Sequence, residues 1–358
     1  MKEKCNSMYE NLLRPILFKL PPEKAQSFAD FFLKRLLIWE VYHSFHKTSD
    51  PRLQIPYAGN INLPTPLGFA AGYDKDCEFL TSLLLLGFGY VIGGTIVNSP
   101  RYGNEKPRIA RNIKEEALIN ALGFPSKGKP YIIKLLDKYQ RNANKRDNLG
   151  KTMLSVSGLD HEDLVLCHSD IQNYSDFIEI NISSPNTSNI KVFQESENLD
   201  KLLSDLNKNK PLFLKLPPYT SNEEKKIVFK LINTAISRGI DGFTIANTHP
   251  TIDARLAVGR GGMSGKPLLE KTVRMTKEIR KEFGPEIIIN ACGGISNALD
   301  LLSVLHAGAN TGQLLTSFIY KGPNIANNIN KKLIALIDET GSENITDLIQ
   351  QYSILKKS

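Results

Sequence analysis

The stretch Asn181-Ile-Ser-Ser-Pro-Asn-Thr187 sets two amides and three hydroxyls within seven residues, a dense run of neutral hydrogen-bonding groups. With Asn120 and Asn247, its Asn181 and Asn186 can offer donors and acceptors to a flat heterocycle carrying several carbonyl and N–H groups. Any one of these asparagines alone reads as the closure of a turn, whereas four at one mouth read as a binding site. Ser184 has none of the G-x-S-x-G surroundings of an acyl nucleophile and fits a proton acceptor better. Lys75 and Lys215 are long cations that suit an anionic substrate. Two glycine-bearing segments, Gly261-Gly-Met-Ser-Gly265 and Cys292-Gly-Gly294, read as turns whose backbone N–H groups can approach a phosphate closely.

These groups need a scaffold that brings distant segments to one place. From Pro66 onward, short apolar runs alternate with amphipathic stretches, as a parallel α/β fold requires. Eight such runs lie at 67–71, 90–94, 153–156, 177–182, 212–216, 242–246, 287–291 and 311–315. Ser221-Asn-Glu-Glu224 reads as a capping box, and Ser296 as the N-cap of the helix that follows it. Eight strands predict a closed (β/α)8 barrel. Gly72, Lys75, Thr95, Asn181, Lys215, Asn247, Gly294 and Thr316 all fall at or just past the C-terminal ends of these strands, where a barrel keeps its active site.

Residues 8–20 and 22–42 read as two short helices divided by Pro21 and Pro22. Neither reaches the roughly 20 apolar residues of a spanning helix, and no small-residue cleavage site follows an apolar core, so a cleaved signal peptide is not expected. Phe28, Phe31, Phe32, Leu36, Leu37 and Trp39 either pack on the body or lie in a membrane interface beside Lys19, Lys24, Lys34 and Arg35. The expected organisation is a helical segment at 1–45, a linker at 46–65, a barrel at 66–340 and a tail at 341–358.

The formal net charge of +8 comes from scattered basic residues with no aromatic-interleaved block, which gives no reason to expect nucleic acid. Cys5, Cys77, Cys167 and Cys292 lack C-x-x-C spacing, and six scattered histidines show no metal-ligand pattern. A reducing, cytoplasm-facing location without a structural metal is expected.

The Asn181–Thr187 loop resembles the active-site loop of the quinone-dependent (class 2) dihydroorotate dehydrogenases. The same resemblance is carried, in family order, by Gly68-Phe-Ala-Ala-Gly-Tyr-Asp-Lys75, Gly103-Asn-Glu-Lys-Pro-Arg108, Ile119-Asn-Ala-Leu-Gly-Phe124, Gly261-Gly-Met-Ser-Gly-Lys-Pro267 and Phe318-Ile-Tyr-Lys-Gly-Pro323. It implies a TIM barrel that binds FMN and oxidises dihydroorotate to orotate in pyrimidine biosynthesis. Ser184 would be the base. Lys75, Asn120, Phe124, Asn181, Asn186, Asn247 and Thr248 would hold the substrate. Ala71, Gly72, Thr95, Ser155, Asn181, Lys215, Ala246, Gly262, Gly265, Gly294, Leu315 and Thr316 would surround the flavin. Arg108, Gln26 and Leu315 would face a membrane quinone, reached through the N-terminal helices by a protein held peripherally on the cytoplasmic face of the membrane.

Five positions depart from the family pattern. Ser155 stands where an asparagine is usual, Ala246 replaces a threonine, Asn189 a glycine and Leu315 a tyrosine, while Gln26 takes the usual histidine position. Two readings of different class follow: a working dehydrogenase with a modified site, or a diverged FMN-binding paralogue with another substrate or a regulatory role. Retention of Ser184, the asparagines and both lysines favours the first.

Overall fold

The computed structural model describes residues 8–142, 149–183 and 188–355. Its strands, in chain order, are β1 (Ile55–Pro56), β2 (Asn62–Leu63), β3 (Leu67–Phe69), β4 (Tyr90–Ile96), β5 (Ile109–Asn112), β6 (Ala117–Asn120) and β7 (Lys151–Val156). They continue as β8 (Phe177–Asn181), β9 (Leu212–Lys215), β10 (Gly242–Ile245), β11 (His249–Ile252), β12 (Arg260–Gly265), β13 (Ile288–Cys292) and β14 (Thr311–Leu314). Eight of them close a barrel in the order β10-β13-β14-β3-β4-β7-β8-β9, all neighbours parallel. Each corresponds to one of the eight apolar runs. The strands are buried on both faces, which is why they read as continuous apolar runs rather than as alternating ones.

Helices cover the outside of the barrel. The one at Asn222–Ser237 starts at the expected capping box: Glu224 N–H donates to Ser221 Oγ at 3.1 Å, and the Glu224 carboxylate accepts the Ser221 N–H in return. The helix at Ala298–His306 is capped one residue later than read from sequence. Its N-cap is Asn297, which accepts the Asp300 N–H, while the Ser296 hydroxyl donates to the Asp300 carboxylate at 2.6 Å.

Part of 46–65 packs against one end of the barrel. β1 and β2 form a hairpin, and beside it Tyr57 plugs the N-terminal end of the barrel. Its ring stacks on Phe213 at 5.4 Å and its hydroxyl donates to Asn290 Oδ1 at 2.8 Å. The buried phenol thereby keeps a hydrogen-bond partner, as a tyrosine in a core must.

A second sheet, β11-β12-β6-β5, is antiparallel and sits over the barrel mouth. It corrects one expectation from sequence: Gly261-Gly-Met-Ser-Gly265 is a strand, not a turn. The glycine at 261 allows close approach to β6, since a Cβ there would lie 2.6 Å from the Asn120 carbonyl oxygen.

The N-terminal segment comprises a π-helical turn at Tyr9–Leu13 running into α1 (Arg14–Lys19), then α2 (Pro22–Leu33) and α3 (Leu36–His46). The single helix expected over 22–42 is thus two. Ser82 Oγ donates to the Leu33 carbonyl at 2.7 Å, taking a group the helix would otherwise use, and Arg35 leaves helical geometry. Ala25 and Leu33 anchor α2 on the barrel. Of the 23 exposed large apolar side chains among the described residues, 13 lie between Met8 and Phe45, a concentration that marks this segment as the apolar face of the molecule.

Candidate active site

One cleft at the C-terminal mouth of the barrel gathers most of the residues singled out from sequence. Gln26, Ala71, Gly72, Lys75, Thr95, Asn120, Phe124, Asn181, Lys215, Ala246, Asn247, Thr248, Gly265, Gly294, Leu315 and Thr316 all line it. Ser184, Asn186 and the side chain of Asn189 lie outside the described residues.

The floor is a hydrogen-bonded row across three strands. Asn181, the last residue of β8, donates from Nδ2 to Thr95 Oγ1 at 3.0 Å, and Thr95 Oγ1 lies 3.1 Å from Ser155 Oγ. Ser155 is fully buried and reaches the cleft only through Thr95. Asn181 Oδ1 accepts both the backbone N–H and the hydroxyl of Ser183, at 3.1 and 3.0 Å. Asn247 Nδ2 in turn donates to Ser183 Oγ at 3.0 Å. Ser183, which sequence reasoning passed over, is therefore the link that fixes two of the four asparagine amides. Its only sequence signal was its place between Asn181 and Ser184.

Lys215 ends β9 in register with Asn181 on β8, and only 5% of it is exposed. Among the described residues its ammonium makes no ion pair, so a buried positive charge stands at the cleft awaiting an anionic or electron-rich partner. Lys75 reaches the cleft from the loop after β3. Burial pushes its ammonium below the usual lysine range, and the nearby Asp30 carboxylate opposes that. Burial likewise pushes up the thiol of Cys292, another lining residue not expected from sequence.

On the β13–β14 side the backbone takes turns that only glycine permits. Gly293 and Gly294 have φ of +134° and +86°, and a Cβ on Gly294 would stand 2.3 Å from the Leu269 nitrogen. Gly265 has φ +101°, and a Cβ there would meet the Glu116 carbonyl at 2.3 Å. Thr316 Oγ1 donates to Ser264 Oγ at 2.8 Å beside them, which adds Ser264 to the site. Gln313 Oε1, on β14 at the cleft wall, is buried without a partner among the described residues. A cradle that only glycine permits, a free cation and an orphaned acceptor fit a phosphate-bearing heterocyclic cofactor.

Three expected residues sit differently. Gly262 lies on β12 behind the wall, where its carbonyl accepts from Asn120 Nδ2 at 3.3 Å. Arg108 faces a second, more polar cavity beside α2, in an ion pair with Glu23 at 2.9 Å. Gln26 projects from α2 into the cleft itself, so the N-terminal segment closes one side of the site.

The family model described as dihydroorotate dehydrogenase matches residues 56–337. A protein of Coxiella burnetii named dihydroorotate dehydrogenase (quinone) is 34% identical over 337 residues, covering 90% of this chain and 96% of that protein. One of the same name from Helicobacter acinonychis is 33% identical over 353 residues, covering 96% and 99%. Among solved structures, DHODH from Eimeria tenella in complex with ferulenol superposes with a TM-score of 0.76 at 27% identity, covering 93% of this chain and 98% of that one. With the barrel, the asparagine row and the glycine cradle in place, these matches mean that the chain belongs to the dihydroorotate dehydrogenase family.

Proposed function

We propose that this protein oxidises dihydroorotate to orotate in pyrimidine biosynthesis, with FMN as its cofactor and a membrane quinone as electron acceptor. The observation that carries the reading is the convergence of Asn120, Asn181 and Asn247 with Lys75 and Lys215 on one cleft. Neutral amides read the ring of a planar pyrimidine, and the cations balance its carboxylate. FMN, when bound, accepts the two electrons removed from the substrate.

The chain's own residues do the rest. Gly265, Gly294 and Thr316 would hold the phosphate of FMN, and Thr95, backed by Ser155, would face its ring together with Ala246, Gly72, Ala71 and Leu315, with Lys215 at the pyrimidine side. Asn181 and Asn247 are held by Ser183 and so meet the substrate already oriented. Ser184, one residue past Ser183, would take the proton from the substrate carbon. A neutral serine must pass its own proton on as it takes the substrate's, while Lys75 and Lys215 would stabilise the negative charge that develops on the substrate. Asn186, Thr248 and Phe124 would complete the substrate wall.

The apolar surface between Met8 and Phe45 supports peripheral contact with membrane lipid on the cytoplasmic face, with quinone passing between the N-terminal helices toward Gln26 and Leu315. Among the described residues no helix is long and apolar enough to cross a membrane. The reading with a lost or altered activity is less favoured, because Ser155 is absorbed into a bond with Thr95 rather than leaving a gap. The test is orotate production by the FMN-loaded protein with a soluble ubiquinone analogue. Wild type should turn over and Ser184→Ala should lose at least a hundredfold with FMN retained, on the scale of a lost general base. A Ser184→Ala variant as fast as wild type would remove that residue from the role.

A further inference from the structure

The short helix Thr316–Lys321 meets the site at one end and is left incomplete at the other. In its first turn Thr316 bonds Ser264 beside the glycine cradle, and Thr316, Ser317 and Ile319 line the cleft. An α-helical carbonyl is normally met by the N–H four residues on, and for Ile319 that residue is Pro323, which has none. The Tyr320 carbonyl lies in the same last turn, where the helix has no further donor to offer.

Both carbonyls are taken by the N-terminal segment, 310 and 306 residues away in the chain. The Tyr9 hydroxyl donates to the Ile319 carbonyl at 2.7 Å, and Arg14 Nη1 donates to the Tyr320 carbonyl at 3.1 Å. Gly322 makes the slot for the ring: its φ is +79°, and a Cβ there would stand 2.4 Å from Tyr9 Cγ. The seat continues along α1, where Phe18 meets the Tyr320 ring edge-on at 5.2 Å. Arg111 of β5 donates to the Phe18 and Leu20 carbonyls at 3.2 and 2.7 Å. Tyr320 is itself buried, and its hydroxyl donates to the Ala117 carbonyl on β6 at 2.9 Å. The segment Phe318-Ile-Tyr-Lys-Gly-Pro323 is thus a socket built for this part of the same chain.

A helix of this length spans only about 9 Å, so its two ends are not independent. Withdrawing Tyr9 and Arg14 strands two carbonyls in the last turn, and fraying from there reaches Ile319 and Thr316 within one turn. We propose that Tyr9 and Arg14 are positioning residues for the cofactor: they complete this helix from the N-terminal segment, so that docking of the segment and retention of FMN are one coupled equilibrium. FMN binds the docked form more tightly, and by reciprocity bound FMN holds the segment down.

This rests on the FMN reading, and the experiment separates the two. The protein is stripped of FMN, and FMN is titrated back while its fluorescence is followed. The double variant Tyr9→Phe, Arg14→Gln should bind about tenfold more weakly than wild type, within the range of ordinary coupling between sites. Tyr9→Phe alone keeps the ring in its slot, gives up one bond and should bind about threefold more weakly, which keeps the test open should the double variant fail to fold. Hydrogen exchange read by mass spectrometry should show FMN slowing the backbone amides of 9–20 in wild type, although none of these residues lines the cleft. A merely structural bond would lower the melting temperature with and without FMN alike and leave FMN affinity unchanged. Wild-type affinity in both variants, or exchange at 9–20 indifferent to FMN, would overturn the proposal. A wild-type protein that takes up no FMN would instead sink the cofactor reading itself, and this coupling with it.

Discussion

Replacing Asn181 by alanine removes three hydrogen bonds at once from a side chain that is 4% exposed. The partners do not lose equally. Thr95 Oγ1 keeps Ser155, and Ser183 Oγ still accepts from Asn247. The groups left without an acceptor are the backbone N–H and the hydroxyl hydrogen of Ser183. Each orphaned buried donor costs about 1–3 kcal/mol, and water from the adjoining cleft recovers part of it, so a loss of about 3 kcal/mol is expected. For a chain of this length that is a fall in Tm of roughly 4 °C. Asn181→Asp is the informative companion, because it keeps the acceptor for Ser183 while giving up the amide donor and adding a buried negative charge. It should recover stability relative to alanine but not the binding of an anionic pyrimidine. Thermal melts of the two variants without FMN, paired with orotate titration of the FMN-loaded proteins, make the comparison. An Asn181→Ala protein melting within 1 °C of wild type would refute the bookkeeping of donors and acceptors on which the site's geometry rests.

Three further outcomes are expected. Gly294→Ala places a methyl group against the Leu269 backbone at a φ that L residues rarely adopt, and FMN retention on gel filtration should fall roughly tenfold or more if the cradle is a phosphate site. Tyr57→Phe removes one of the two donors to Asn290 Oδ1 and leaves Thr311 in place, so denaturant unfolding should report a loss of only about 1 kcal/mol. His168 is 2% exposed, and burial pushes its imidazole down to about 4. The unfolded chain therefore binds a proton near pH 6.5 that the folded one refuses, and stability present above that pH is lost as pH falls toward 4. Between pH 7 and 5 wild type should lose about 2 kcal/mol more than His168→Gln, and equal slopes would contradict this assignment.

The barrel was legible in the sequence because its strands are buried on both faces and its helices are amphipathic, two patterns that local composition displays. The antiparallel sheet over the mouth was not. β5, β6, β11 and β12 pair across some 140 residues of chain, and the glycines of β12 that permit this approach read locally as a turn. The break between α2 and α3 was hidden for a similar reason, since Ser82, 49 residues away, takes the Leu33 carbonyl. The linker's part in closing the barrel hung on a single aromatic residue, Tyr57, whose stacking on Phe213 no periodicity announces. At the site, chemistry-bearing residues at strand ends were readable one by one. Supporting residues such as Ser183, Ser264 and Gln313 were not, because their importance lies in what they hold in place.

Whether this cleft oxidises dihydroorotate is tested most directly, apart from any acceptor, by anaerobic stopped-flow absorbance of the FMN-loaded protein mixed with dihydroorotate. The oxidised-flavin band should bleach in wild type and persist in Ser184→Ala. A band that persists in wild type with FMN demonstrably bound would contradict the proposed oxidation.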